Sequence, residues 1–182
     1  MTHDQTALGH ALFLGFCAVL LVSSKILFRW HLHIPGHSML IVSFFLLLGR
    51  AVVPSKTAAG TVGLWAGLMV VVLGLGKGGP LQIIKYLLPA LGVDLGALLI
   101  PGWARHIWGC ALLGIVAGLG KTGADIFVDW VVGMDPGVLF LHATAKGVGA
   151  VVFSLLGALL LPPVLSRLRA HGLLQEERAT GD

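Results

Sequence analysis

Charge is what this sequence has least of. Only 11% of its 182 residues are Asp, Glu, Lys or Arg, against about a quarter in an ordinary soluble domain. With so few polar side chains a water-facing globule could not be covered. The net charge of +4 comes from Lys and Arg scattered between apolar runs. It nowhere forms the dense basic patch that nucleic-acid recognition needs, so no nucleic-acid partner is expected. Cysteine is nearly missing too. Cys17 and Cys110 both sit in apolar segments and make neither a disulfide framework nor a metal motif. The first ten residues lack the basic region of a signal peptide, and the first apolar run outlasts signal-peptide length, so it reads as a retained span. Catalytic patterns are absent as well: there is no nucleophile elbow and no His-Glu-x-x-His. Gly120-Lys121-Thr122 imitates the end of a phosphate-binding loop, but the required glycine at position 115 is Ile115, and a preceding soluble strand is missing. Nucleotide hydrolysis by this chain is therefore excluded.

What is there is hydrocarbon. Hydrophobic residues make up 57% of the chain, and its mean hydropathy is +0.95. A membrane span needs about 20 mainly apolar residues. The runs Ala7 to Leu27, Ser38 to Val53, Thr57 to Gly76, Leu81 to Ile100, Ala104 to Val132 and Val138 to Leu161 predict an all-α integral membrane bundle of about six transmembrane helices. Its single domain covers residues 1–165, and a charged tail covers 166–182. Pro162-Pro163 is expected to end the last span, and Pro89 to kink the fourth. With six spans both termini share a side. Arg50, Lys56, Arg105, Arg167, Arg169 and Arg178 fall on that side, and Lys25, Arg29 and Lys77 on the other. The bias places both termini in the cytoplasm and the protein in the inner (plasma) membrane as a multi-pass chain. Trp30, Trp103 and Trp130 fall near the expected interfaces, where amphipathic rings prefer to lie.

The 26 glycines outnumber what turns require. Gly63 and Gly67, Gly92 and Gly96, and Gly114 and Gly118 are each four apart, so each pair shares a helix face and lets another backbone approach. Ala11 and Gly15 repeat the spacing on the first span. Such faces serve packing within the chain or docking to a partner membrane subunit.

Ionisable residues inside a span face a bundle interior or a cavity. Lys121, Asp125 and Asp129 stand at intervals of four on one helix face, and Lys121 can pair with Asp125 on the next turn. His142 and Lys146 repeat this spacing. The fourth span carries Lys85, Tyr86 and Asp94, with Lys85 and Asp94 nine apart and so on opposite sides of a regular helix. Most of these groups fall at the end opposite the termini, together with Lys77 and the connector Arg29 to His37. One polar pocket opening outward accounts for them; structural ion pairs and snorkelling side chains are the plain alternative. Lysines 77, 85, 121 and 146 would favour an anionic group. Asp94, Asp125 and Asp129 would neutralise them or meet a cationic ring, and Trp30, Tyr86 and Trp130 could stack on a flat heterocycle. His31, His33 and His37 are weak candidates for a transition metal, since their spacing does not match a strong zinc pattern.

The size, the six runs, the glycine-rich third run and the stretch Lys85-Tyr86-Leu87-Leu88-Pro89-Ala90-Leu91-Gly92-Val93-Asp94 together resemble the substrate-binding S components of energy-coupling factor (ECF) transporters, over about residues 7–165. The resemblance implies a substrate-capturing subunit of an ABC-type importer, without enzymatic activity or cofactor of its own. It would take up a vitamin or vitamin-like molecule in a pocket near the outer face. Its partners would be a transmembrane coupling subunit and two separate ATPase subunits. Ala11 and Gly15 are similar to the family's docking surface, although its Ala-x-x-x-Ala form is not present. The connector from Arg29 to His37, with Trp30, His33 and His37, would act as a lid. His33-Ile34-Pro35-Gly36 looks somewhat like the amino-terminal His-Ile-Pro-Asp-Gly of cobalt and nickel members, but it is internal here and Gly36 replaces the acid. Transition-metal uptake, a membrane-embedded lipid-modifying enzyme using His142 with Asp125 or Asp129, and a structural subunit remain the competing readings.

Overall fold

A computed structural model of the chain describes residues 2–28, 36–75 and 79–171. The described residues form helices α1 (Thr2–Phe28), α2 (Ser38–Val52), α3 (Ala58–Val72), α4 (Gln82–Leu99), α5 (Ile107–Val131), α6 (Pro136–Leu159) and α7 (Leu161–Ala170), and no strand is found among them. Four stretches are long and apolar enough to cross a membrane: Ala7–Leu27, Gly79–Leu99, Ile107–Val131 and Lys146–Ala170. Helices α2 and α3 are apolar but only 15 residues long, about 22 Å at 1.5 Å per residue. The third expected run is shortened because its last residues leave the helix at Gly74, where φ is +63°, a value glycine adopts without strain.

The short second helix is the innermost one. It touches α1, α3, α4, α5 and α6, and Leu46 and Leu47 are fully buried. Helices α3 to α6 follow one another around it, each packed on the next, and α1 lies against α2 and α3. The outward faces are apolar as well: Val72 is 84% exposed, Trp108 80% and Leu99 73%. Outward faces of that kind fit a hydrocarbon solvent.

The glycine pairs are the contact points between neighbouring helices. A methyl group on Gly63 would lie 2.7 Å from the Tyr86 carbonyl of α4, and one on Gly114 would lie 2.6 Å from the Ala158 methyl of α6. Gly96 meets Leu113 of α5, Gly67 meets Ile83 and Gly118 meets Val151. All three pairs therefore serve packing within the chain. Gly15 has nothing within 4 Å and Ala11 is exposed, so this part of α1 faces away from the bundle.

Two expectations about the ends of elements need correction. The prolines that were to end the last span instead open α7, in its first turn, where a missing N–H is no loss. Only Leu160 separates α6 from α7. Helix α7 then crosses the expected boundary at residue 165 and buries Leu161 and Leu165. Trp103 lies in the connection between α4 and α5, but its ring is packed inward instead of facing outward. It is 6% exposed, in a short turn of 3-10 helix, Trp103–Arg105, closely covered by Gly109 of α5. Pro89 lies inside α4, and α6 starts as its sequence suggests, with the Asp135 carboxylate accepting from Gly137 N at 2.9 Å.

Candidate functional site

The ends of α1 and α3 and the starts of α2 and α4 meet at one end of the bundle, and Lys25, Lys85, Lys121, Asp125 and Asp129 gather there. Lys25, in the last turn of α1, donates from Nζ to the Tyr86 hydroxyl at 2.5 Å and lies 5.0 Å from that ring's centroid. Such a cation over an aromatic face is favourable. Successive residues on a helix point about 100° apart. While Tyr86 turns toward Lys25, its neighbour Lys85 turns toward α5. There it pairs with Asp125 at 3.0 Å and Asp129 at 3.5 Å. Asp125 is also paired with Lys121, one turn earlier on its own helix. Two ammonium groups and two carboxylates thus close a neutral network across α4 and α5, and none of the four side chains is more than 21% exposed.

Beside Lys25 lies a cavity of about 250 Å³ lined by Leu21, Ser24, Lys25, His37, Ser38, Ile41, Val42 and Leu75. Its apolar wall comes from α1 and α2. An ammonium, an imidazole and two hydroxyls supply the polar groups. His37 and Leu75 border the two connecting stretches at this end. This is the composition of a small-molecule site, mostly apolar with a few polar groups that fix orientation. The ammonium suits a carboxylate or phosphate.

Asp94 stands elsewhere, nine residues and about 13 Å along α4 from Lys85. Its Oδ1 accepts from Ala59 N at 3.1 Å and its Oδ2 from Gly60 N at 2.7 Å. Arg50 Nε of α2 is 3.5 Å away. The first turn of α3 has free backbone donors, and its own N-cap Thr57 makes no side-chain capping bond. Asp94 therefore caps α3 from a different helix. Among the other expected site residues, His37 lines the cavity and Tyr86 stands behind Lys25. Trp130 points away from the bundle at 63% exposure, and Lys146 is exposed on α6. Trp30, His31, His33 and Lys77 lie outside the described residues, as does the side chain of His142. Among the described residues no three His, Cys, Asp or Glu side chains stand close enough to share a metal ion.

Sequence reasoning used Lys25 and Arg50 only to orient the chain and missed both as partners of buried groups. Ser23-Ser24-Lys25, a polar triplet inside the first apolar run, was the available signal. Compared with protein-family models, curated proteins and solved structures, the chain matches none.

Proposed function

We propose that this chain is the substrate-capturing membrane subunit of an ECF-type importer, with six spans and both termini in the cytoplasm. The observation that carries the reading is the cavity beside Lys25, backed by Tyr86 and lying at the last turn of α1, remote from that helix's start. Helices α2 and α3 complete the six spans despite their length. Helix α2 is enclosed by longer neighbours, so its ends need not reach lipid headgroups themselves, and α3 presents Trp65 and Val72 outward. The substrate is a vitamin-sized molecule with an apolar body against Leu21, Ile41 and Val42 and an anionic group on Lys25. The Lys121–Asp125–Lys85–Asp129 network holds α4 against α5 at this end and keeps the floor of the site in place. Energy comes from separate ATPase chains through a coupling subunit, since no phosphate-binding loop exists here. A lipid-modifying enzyme would need Asp125 or Asp129 as a free base, and both are tied to lysine ammonium groups.

Mass spectrometry of small molecules released from the detergent-purified chain tests this directly. Wild type should release one anionic compound in near-stoichiometric amount. Lys25→Ala should reduce its retention roughly tenfold, the value of a lost charge-assisted hydrogen bond of about 1.5 kcal/mol. Co-expression with a coupling subunit and its ATPases should yield a complex. A wild-type protein that carries no small molecule and joins no such complex would remove the proposal.

A further inference from the structure

A second, larger recess is unrelated to the ion network. It measures about 360 Å³ and is lined by Ser24, Leu40, Ile41, Phe44, Phe45, Leu160, Pro163, Val164 and Arg167. That volume lies within the range of ligand sites, about 300–1,000 Å³. None of these residues is fully buried, so the recess is a groove on the outer face of the bundle rather than an internal void. Its floor is aliphatic and aromatic, with the Phe44 and Phe45 rings edge-on at 5.3 Å. Its one cationic side chain is Arg167.

The helix that brings Arg167 there is built for an interface. On α7, Leu161, Leu165 and Leu168 turn inward, while Ser166, Arg167 and Arg169 are exposed. Short helices with an apolar stripe and a basic opposite face lie at the boundary of anionic bilayers. Neither arginine pairs with a carboxylate among the described residues. An apolar groove on a hydrocarbon-facing surface is filled by acyl chains, and a guanidinium at its mouth matches a phosphate diester, to which it can donate two parallel hydrogen bonds.

We infer that this groove binds an anionic phospholipid of the bilayer, with an acyl chain along Leu40, Phe44 and Phe45 and the headgroup phosphate on Arg167. The groove adjoins the proposed substrate cavity, with Ser24 and Ile41 lining both, but its cationic group is Arg167 and not Lys25, and the assignment stands whether or not the chain is a transport subunit. By holding α7 to α1 and α2, the lipid would brace the junction at Leu160.

Native mass spectrometry of the full purified chain tests it, after exchange into detergent containing equal amounts of phosphatidylglycerol and phosphatidylcholine. Wild type should retain phosphatidylglycerol with about a fivefold preference, the effect of one basic residue at an anionic surface. Arg167→Gln should abolish the preference, whereas Arg105→Gln, exposed and outside the groove, should leave it intact. Val164→Trp, which fills the groove, should lower retention of both lipids. Arg167 is exposed, so its replacement does not threaten folding. No preference in wild type, equal losses from Arg167→Gln and Arg105→Gln, or a dimer with no retained lipid would each overturn the assignment.

Discussion

Asp94 illustrates how much one carboxylate can do in a low-dielectric bundle. It neutralises Arg50, satisfies two backbone donors of α3 and ties three helices at a point where no side chain of α3 itself could do so. Removing one partner of a buried pair leaves the other charge uncompensated, at a cost of about 3–5 kcal/mol. Asp94→Ala should therefore lower the melting temperature in detergent strongly, and the double variant Arg50→Met, Asp94→Leu should be less damaged than Asp94→Ala. If the double variant is as unstable as the single one, the charge has been given a role that belongs to packing. The contrast with Lys121 and Asp125 is instructive. Their pairing could be read directly from the spacing, because partners on adjacent turns of one helix meet whatever the surroundings. The Asp94–Arg50 and Lys25–Tyr86 contacts, the latter 61 residues apart in the chain, could not.

Helices in this chain hold one another through close backbone contact and a few hydrogen bonds. Ser43 Oγ donates to the Ser154 carbonyl at 3.0 Å, and Ser154 Oγ donates to the Gly114 carbonyl at 2.6 Å. This stitches α2, α6 and α5 at the level where Gly114 lets α6 approach. Lipid tails are as apolar as leucine, so contacts of this kind supply the association that hydrophobic burial supplies in water. Gly114→Leu should cost about 1–3 kcal/mol through overpacking, seen as a lower melting temperature in detergent. Gly15→Leu, on the open face of α1, should leave that temperature unchanged. Equal effects at both positions would mean that α1 is covered by something other than lipid in the purified protein. At this scale the sequence located α1 to α6 closely, because apolar runs and glycine or proline breaks are local signals. It also placed the end of α6 within two residues but missed α7, since a proline pair can stop one helix or begin the next, and only the packing of Leu161 and Leu165 against the bundle shows that here it does both.

For the molecule as a whole, the proposed six-span arrangement makes a simple prediction about sidedness. In a background without Cys17 and Cys110, Met134→Cys, in the turn before α6, should react with an impermeant maleimide in intact cells. Ser55→Cys, between α2 and α3, should react only after permeabilisation. Labelling of both from the same side would break the proposed topology and with it the proposal that the cavity opens outward. Composition alone settled the broadest point, that these helices are apolar enough to need hydrocarbon around them, because too few polar side chains exist to hold water. It also settled where the helices run and which residues share a face, since both follow from a repeat of 3.6 residues along one segment. Which face meets which neighbour was decided only in three dimensions. The rotation of each helix about its own axis depends on the steric fit of all the others, and that fit set Lys25 against Tyr86, gave Asp94 to α3 instead of the cavity, and turned Trp130 outward.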